Sequence, residues 1–263
     1  MKIIIGNWKE NPETFEEGVK LIQISEKFEN GQDDHLFHCI ENKLEIKGSN
    51  FKIAHAVPSI FAERLYIEAK KTKIILQNIS TFETGSHTGE ISVKQMINCG
   101  IQGSIIVHSE TRLSPNNPRG DEDKQVNSKL KILFANDCGA VLCIGEFIRD
   151  KNRKEYIEKQ IVNCLNDLKI KDFENLVLAY EPIWAIGKDA KRVATNEEIT
   201  ETINFIKSFV KDKFTFEAKV LYGGSVDENN AKEIVNLENV DGLLIGRASS
   251  DTVKWKALLE NLH

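Results

Sequence analysis

The chain has 263 residues, enough for one large α/β barrel or one to two smaller domains. Hydrophobic residues make up 41% and charged residues 29%, with only 16 Gly and 5 Pro, which excludes a disordered, collagen-like or low-complexity chain. Lys and Arg number 35 against 40 Asp and Glu, a net charge of −5 without a long basic block, so nucleic-acid and membrane-surface roles are disfavoured and an anionic substrate would need local donors.

The apolar stretch in MKIIIGNWKEN is too short for a signal-peptide core, and no run approaches 18 apolar residues, so the expected location is the cytoplasm. Cys39, Cys99, Cys138, Cys143 and Cys164 form an odd set without CxxC pairing or zinc-like His spacing. They read as free thiols.

In chain order, eight short runs rich in Ile and Val recur: IIIG from Ile3, FKIAHAV from Phe51, KIILQN from Lys73 and SIIVH from Ser104, then AVLCIG from Ala140, LVLAYE from Leu176, KVLYGG from Lys219 and GLLIG from Gly242. None alternates cleanly with polar residues, as expected for parallel strands buried on both faces. Between them lie segments with helical spacing. One carries Tyr156, Ile157, Gln160, Ile161, Cys164, Leu165 and Leu168; another carries Ile199, Ile203, Ile206 and Val210. Thr14 with Glu17, Thr195 with Glu198, and Ser225 with Glu228 have capping-box spacing.

Eight strand-then-helix units predict a (β/α)₈ TIM barrel, a single domain over 1–263, eight parallel strands surrounded by helices. A doubly wound open sheet is the rival, weakened because no GxGxxG follows the first strand. Residues 30–50 are too long for an ordinary helix-to-strand connection and read as an insertion between helix 1 and strand 2, on the face opposite the active site. His35, His38 and Cys39 there fit a partly exposed hairpin or short helix better than a metal site.

In such a barrel the chemistry sits just after the strands. Those positions hold Asn7 and Lys9, then His108 and Glu110, then Glu181, then Gly223-Gly224-Ser225, then Gly246-Arg247. Each has a bland reading alone, but a Lys, a His and a Glu converging on one end form an acid/base set. Turns without bulky leading side chains after strands seven and eight match a phosphate site built from backbone N–H groups.

The motifs GNWK from Gly6, TGEIS from Thr88, HSE from His108 and CIGE from Cys143, followed by AYEPIWAIG from Ala179, YGGSV from Tyr222 and DGLLIG from Asp241, occur in an order that resembles the triosephosphate isomerase family. The resemblance covers nearly the whole chain apart from 30–50. It implies interconversion of dihydroxyacetone phosphate and D-glyceraldehyde 3-phosphate through an enediolate, in glycolysis and gluconeogenesis, without cofactor or metal. It assigns Glu181 as base and His108 as neutral electrophile, with Asn7 and Lys9 binding substrate and Glu110 beside Lys9. Amides at Gly187, Ser225, Gly246 and Arg247 would hold the phosphate.

The resemblance further implies a lid over Pro182 to Ala194, with Trp184 near Glu146 when open and Tyr222 used when closed. It also implies a homodimer through the loop at Gly85 to Glu90. The chain departs from the family in four places: a lid about two residues longer, Arg247 for a glycine, Thr111 for an arginine, and His87 for an aromatic residue. Two alternatives remain: an isomerase of a longer phosphorylated sugar, and an inactive barrel serving as a binding protein.

Overall fold

The computed structural model describes residues 1–29, 51–114, 117–187, 190 and 192–263. The 30–50 insertion and its His35, His38 and Cys39 lie outside the described residues, as do Lys188, Asp189 and Lys191 of the expected lid.

Eight strands close into a barrel in sequence order: β1 (Lys2–Asn7), β2 (Phe51–Val57), β3 (Lys73–Leu76), β4 (Gly103–Ile106), β5 (Gly139–Ile144), β6 (Leu176–Tyr180), β7 (Lys219–Tyr222) and β8 (Gly242–Ile245). Every pair is parallel, and β1 closes on β8 through Ile3 opposite Gly242. All eight apolar runs are therefore strands. Continuous apolar character follows from their two buried faces. Ile3, Ile5, Ala54, Ala56, Ile75, Ile105, Val141, Val177, Ala179, Leu221 and Leu244 fill the interior. A separate cluster, including Ile4, Ile53, Ile106, Leu142, Leu178 and Leu243, packs against the helices. Small Ala beside large Ile and Leu lets the inner layers fill a narrow tube.

The helices that fix the strand ends are α1 (Phe15–Ser25), α2 (Ser59–Glu68), α3 (Val93–Asn98), α4 (Asp123–Ala135), α5 (Arg153–Cys164), α6 (Asn196–Phe214), α7 (Ala231–Val235) and α8 (Thr252–Leu262). Thr14 with Glu17 and Thr195 with Glu198 form reciprocal capping boxes on α1 and α6. Ile199, Ile203, Ile206 and Val210 are buried along α6.

Two expectations fail. The Ser225–Glu228 box does not form: the Ser225 hydroxyl donates to the Ala185 carbonyl at 3.1 Å, and α7 begins only at Ala231. Asp227 Oδ1 instead accepts from the amides of Asn229 and Asn230, at 2.8 and 3.2 Å. On α5, Ile157, Gln160, Ile161 and Cys164 are buried, but Tyr156 is 39% exposed, and Leu165 and Leu168 lie past the helix end. Tyr156 sits one residue before Ile157, which rotates it about 100° off the buried stripe.

Among the described residues no helix is long and apolar enough to cross a membrane.

Candidate active site

The ends of β1, β4, β6, β7 and β8 meet around one cavity of about 370 Å³. Asn7, Lys9, His108, Glu110, Glu181, Gly187, Ser225, Gly246 and Arg247 all line it, so every site residue expected from the sequence is brought together. A larger cavity of about 890 Å³ lies beside α2, α3 and the loop after β3, away from this acid/base group.

Lys9 has φ +55°, a left-handed backbone that a lysine adopts only when its surroundings hold it there. Its amide donates to Asn7 Oδ1 at 3.2 Å, and its carbonyl accepts from Gln77 Nε2 at 2.8 Å. Gln77 also donates to the Ala56 carbonyl at 3.0 Å, tying the turn after β1 to β2 and β3. Lys9 Nζ then reaches Glu110 Oε1 at 2.5 Å.

The His108 ring is oriented by its own neighbour. The Glu110 amide donates to His108 Nδ1 at 3.2 Å, so the proton of a neutral ring sits on Nε2. That nitrogen lies 2.9 Å from Glu181 Oε1. Glu181, 2% exposed, accepts from the Ser109 amide at 2.9 Å and from the Ser109 hydroxyl at 3.4 Å.

Burial alone would push the Glu181 carboxyl up, but the His108 ring, the Ser109 amide and the Cys143 thiol outweigh it and hold the group below the usual carboxylate range. Burial likewise pulls the His108 ring down, and the facing Glu181 charge reverses the sign, leaving it raised. Cys143, buried against Glu181, has its thiol pushed well up and stays protonated.

Glu181 is followed by Pro182 and a 3₁₀ turn over Ile183–Ala185. Gly145 is required beneath it, because a Cβ there would stand 1.8 Å from the Glu181 carbonyl oxygen. Gln160 grips the same glycine by both ends: its Oε1 accepts from the Gly145 amide at 3.0 Å and its Nε2 donates to the Gly145 carbonyl at 3.1 Å. Trp184 Nε1 donates to Glu146 Oε1 at 2.8 Å, which also accepts from the Tyr180 hydroxyl at 3.0 Å. Trp184 thus rests against Glu146, the pairing named from the sequence.

Sequence reading missed Ser109, Gln77 and Gln160 as positioning groups. Ser109 and Gln77 carry a signal, since Gln77 directly follows β3 and Ser109 stands between His108 and Glu110 in the turn after β4. Gln160 carries none beyond its place on a helix stripe. Among the described residues no group of three or more His, Cys, Asp or Glu could hold a metal ion.

A closed parallel barrel with a carboxylate, an imidazole and an ammonium gathered at the C-terminal ends of its strands is an acid/base enzyme of the (β/α)₈ class. The family model "Triosephosphate isomerase" matches residues 2–262. A triosephosphate isomerase of Mesomycoplasma hyorhinis is 34% identical over 250 residues, covering 94% of this chain and 93% of that protein. One from Clostridium tetani is 34% identical over 98% of this chain and 95% of its own length, and one from Francisella tularensis subsp. mediasiatica is 32% identical over 100% and 97%. The chain belongs to the triosephosphate isomerase family, and it is an isomerase.

Proposed function

We propose that Glu181 and His108 divide the proton traffic in the reaction this chain catalyses, the interconversion of dihydroxyacetone phosphate and D-glyceraldehyde 3-phosphate. The observation that carries this division is the His108–Glu181–Ser109 contact in the same cavity as Lys9. Glu181, held as a carboxylate, takes the proton from the carbon beside the substrate carbonyl; that C–H bond breaks and a carboxyl O–H bond forms. The electron pair moves onto the carbonyl oxygen and gives an enediolate. His108 Nε2–H and the Lys9 ammonium donate toward the developing oxygen charge, and Asn7 steadies Lys9. His108 Nε2 gives its proton to the former carbonyl oxygen and takes one from the neighbouring hydroxyl; as that second oxygen forms the new C=O bond, Glu181 returns its proton to the carbon that bore the old one.

The resting contact also explains how a histidine can serve as a neutral donor here. When Glu181 swings to the substrate, the main influence that raises His108 is gone, whereas burial and Lys9 both lower it. The ring is then neutral with its proton on Nε2.

Gly187, Ser225, Gly246 and Arg247 hold the phosphate through backbone amides, in turns that line the same cavity. The segment Pro182 to Ala194 closes as a lid and excludes water, which protects the enediolate from losing phosphate. The whole chain reads as one barrel domain with 30–50 inserted, working in the cytoplasm in glycolysis and gluconeogenesis.

We further propose a homodimer through Gly85 to Glu90. Supporting it, Phe82 is 51% exposed with His87 stacked on it, 3.8 Å between centroids, and a cavity of about 890 Å³ opens beside this loop. Activity should fall together with the dimer fraction in sedimentation across a dilution series; a fully active monomer at every concentration overturns the dimer. For the reaction itself, a coupled assay with glyceraldehyde 3-phosphate should give fast turnover, and absence of turnover overturns the assignment.

A further inference from the structure

Trp184 lies three residues after the base, and two arginines stand over its indole ring. Arg192 Cζ is 5.0 Å from the ring centroid and Arg149 Cζ is 5.5 Å from it. Both guanidiniums bind one carboxylate on the first turn of α6. Arg192 Nη1 and Nη2 donate to Glu198 Oε2 and Oε1, each at 2.7 Å, and Arg149 Nε lies 2.9 Å from Glu198 Oε1. Glu198 is itself immobilised, since its Oε2 accepts from the Thr195 amide at 2.9 Å in the capping box. Arg192 belongs to the trailing part of the expected lid, whereas Arg149 belongs to the separate connection between β5 and α5.

Resting on the lid reading above, we propose that Arg149 and Arg192 are positioning residues that latch Trp184 in its open seat. Through Trp184 they hold Glu181 back on Ser109 and His108. A cation over an indole face is attracted by the ring's negative π-surface, and a shared carboxylate keeps both cations in register. The Trp184–Glu146 hydrogen bond fixes the edge of the indole, and the arginines fix its face. On this proposal closure carries the ring away from Arg149 and breaks at least that contact. The latch therefore stabilises the open form only, and it weakens apparent affinity for any ligand that requires closure, in proportion to the closed fraction it removes. It sits outside the substrate cavity, so its influence runs through lid and base and not through substrate contact.

Arg192→Leu, Arg149→Leu and Glu198→Gln test this, the last keeping the capping geometry while removing the charge. The probe is a two-carbon phosphocarboxylate, whose carboxylate resembles the enediolate, titrated by calorimetry alongside steady-state kinetics on glyceraldehyde 3-phosphate. Each variant should bind the probe about threefold to tenfold tighter and show a lower KM, with kcat unchanged or reduced. Structural damage does not tighten binding, so the direction separates a latch from a mere scaffold. Arg192→Lys should fall between wild type and Arg192→Leu. Wild-type or weaker affinity in both leucine variants, with wild-type turnover intact, overturns the latch alone. Absence of turnover in the wild type overturns the activity and the latch with it.

Discussion

The two ends of the cavity handle charge by different means. At the β1, β4 and β6 end, side chains act on one another: Lys9 leans on Glu110, the Glu110 amide orients His108, and His108 meets Glu181. Around the ends of β7 and β8, the turns Gly223–Ser225 and Gly246–Arg247 bring glycines to the lining, and the Ser225 hydroxyl is spent on the Ala185 carbonyl. Side-chain chemistry tunes protonation, which an acid/base step needs; backbone donors keep a fixed charge whatever residue carries them, which suits a permanent anion. Substitutions should therefore be costly at the first end and mild at the second.

The sharpest test of that contrast is Glu181→Gln. A neutral amide cannot take the carbon proton, so kcat should fall about a thousandfold or more while the probe above still binds. Near-normal solvent proton exchange into substrate would remove Glu181 as the base. Next comes Lys9→Met, which deletes charge from ground and transition states alike. It should raise KM and lower kcat together, about a hundredfold or more in kcat/KM; unchanged constants would take Lys9 out of the site.

A third prediction concerns a ring packed behind the barrel wall, between β2 and the helices α1 and α8. His55 is wholly buried on β2, its ring centroid 4.9 Å from that of Trp8 and its Nε2 2.8 Å from Ser25 Oγ. A Cβ on Gly6 would meet its Nδ1 at 2.8 Å and Ser249 Oγ at 3.2 Å, so the ring packs close beside strand β1. Burial pushes it down from 6.5 to about 3. The unfolded chain thus binds a proton that the folded chain refuses between those values, and stability falls as pH drops through that window. About 2–3 kcal/mol should be lost from pH 6.5 to 4.5 on this account. Denaturant melts of His55→Leu should lack that part of the slope; an identical slope in both proteins would show that His55 is not its source.

The smallest effect is expected from Arg247→Gly. If only its N–H serves the phosphate, KM should change by a few fold, on the order of 1 kcal/mol or less. A hundredfold rise would mean that the guanidinium grips the anion and that the contrast between the two ends is wrong.

Much of the fold was legible because its strands are buried on both faces, so eight continuous apolar runs mark them without help from partners. Helix starts were less secure wherever a polar side chain had a distant use. Ser225 has capping spacing, yet its hydroxyl serves Ala185, forty residues away. Asn7, Lys9, His108 and Glu181 could be read as a set because strand ends converge in a parallel barrel and the motifs resemble a known family. The groups that aim them were missed, since each acts on a partner far along the chain or on another element: Gln77 on the Lys9 carbonyl, Ser109 on Glu181, Gln160 on Gly145.

Local sequence thus determined the strand count, the helix stripes, two capping boxes and the identity of the polar groups at the barrel mouth, because each depends on residues close along the chain. Tertiary structure alone decided the left-handed Lys9, the refuge of Glu181 on Ser109 and the arginine pair over Trp184. Those depend on distances between segments that the sequence separates by up to about a hundred residues, and only closure of the barrel sets such distances.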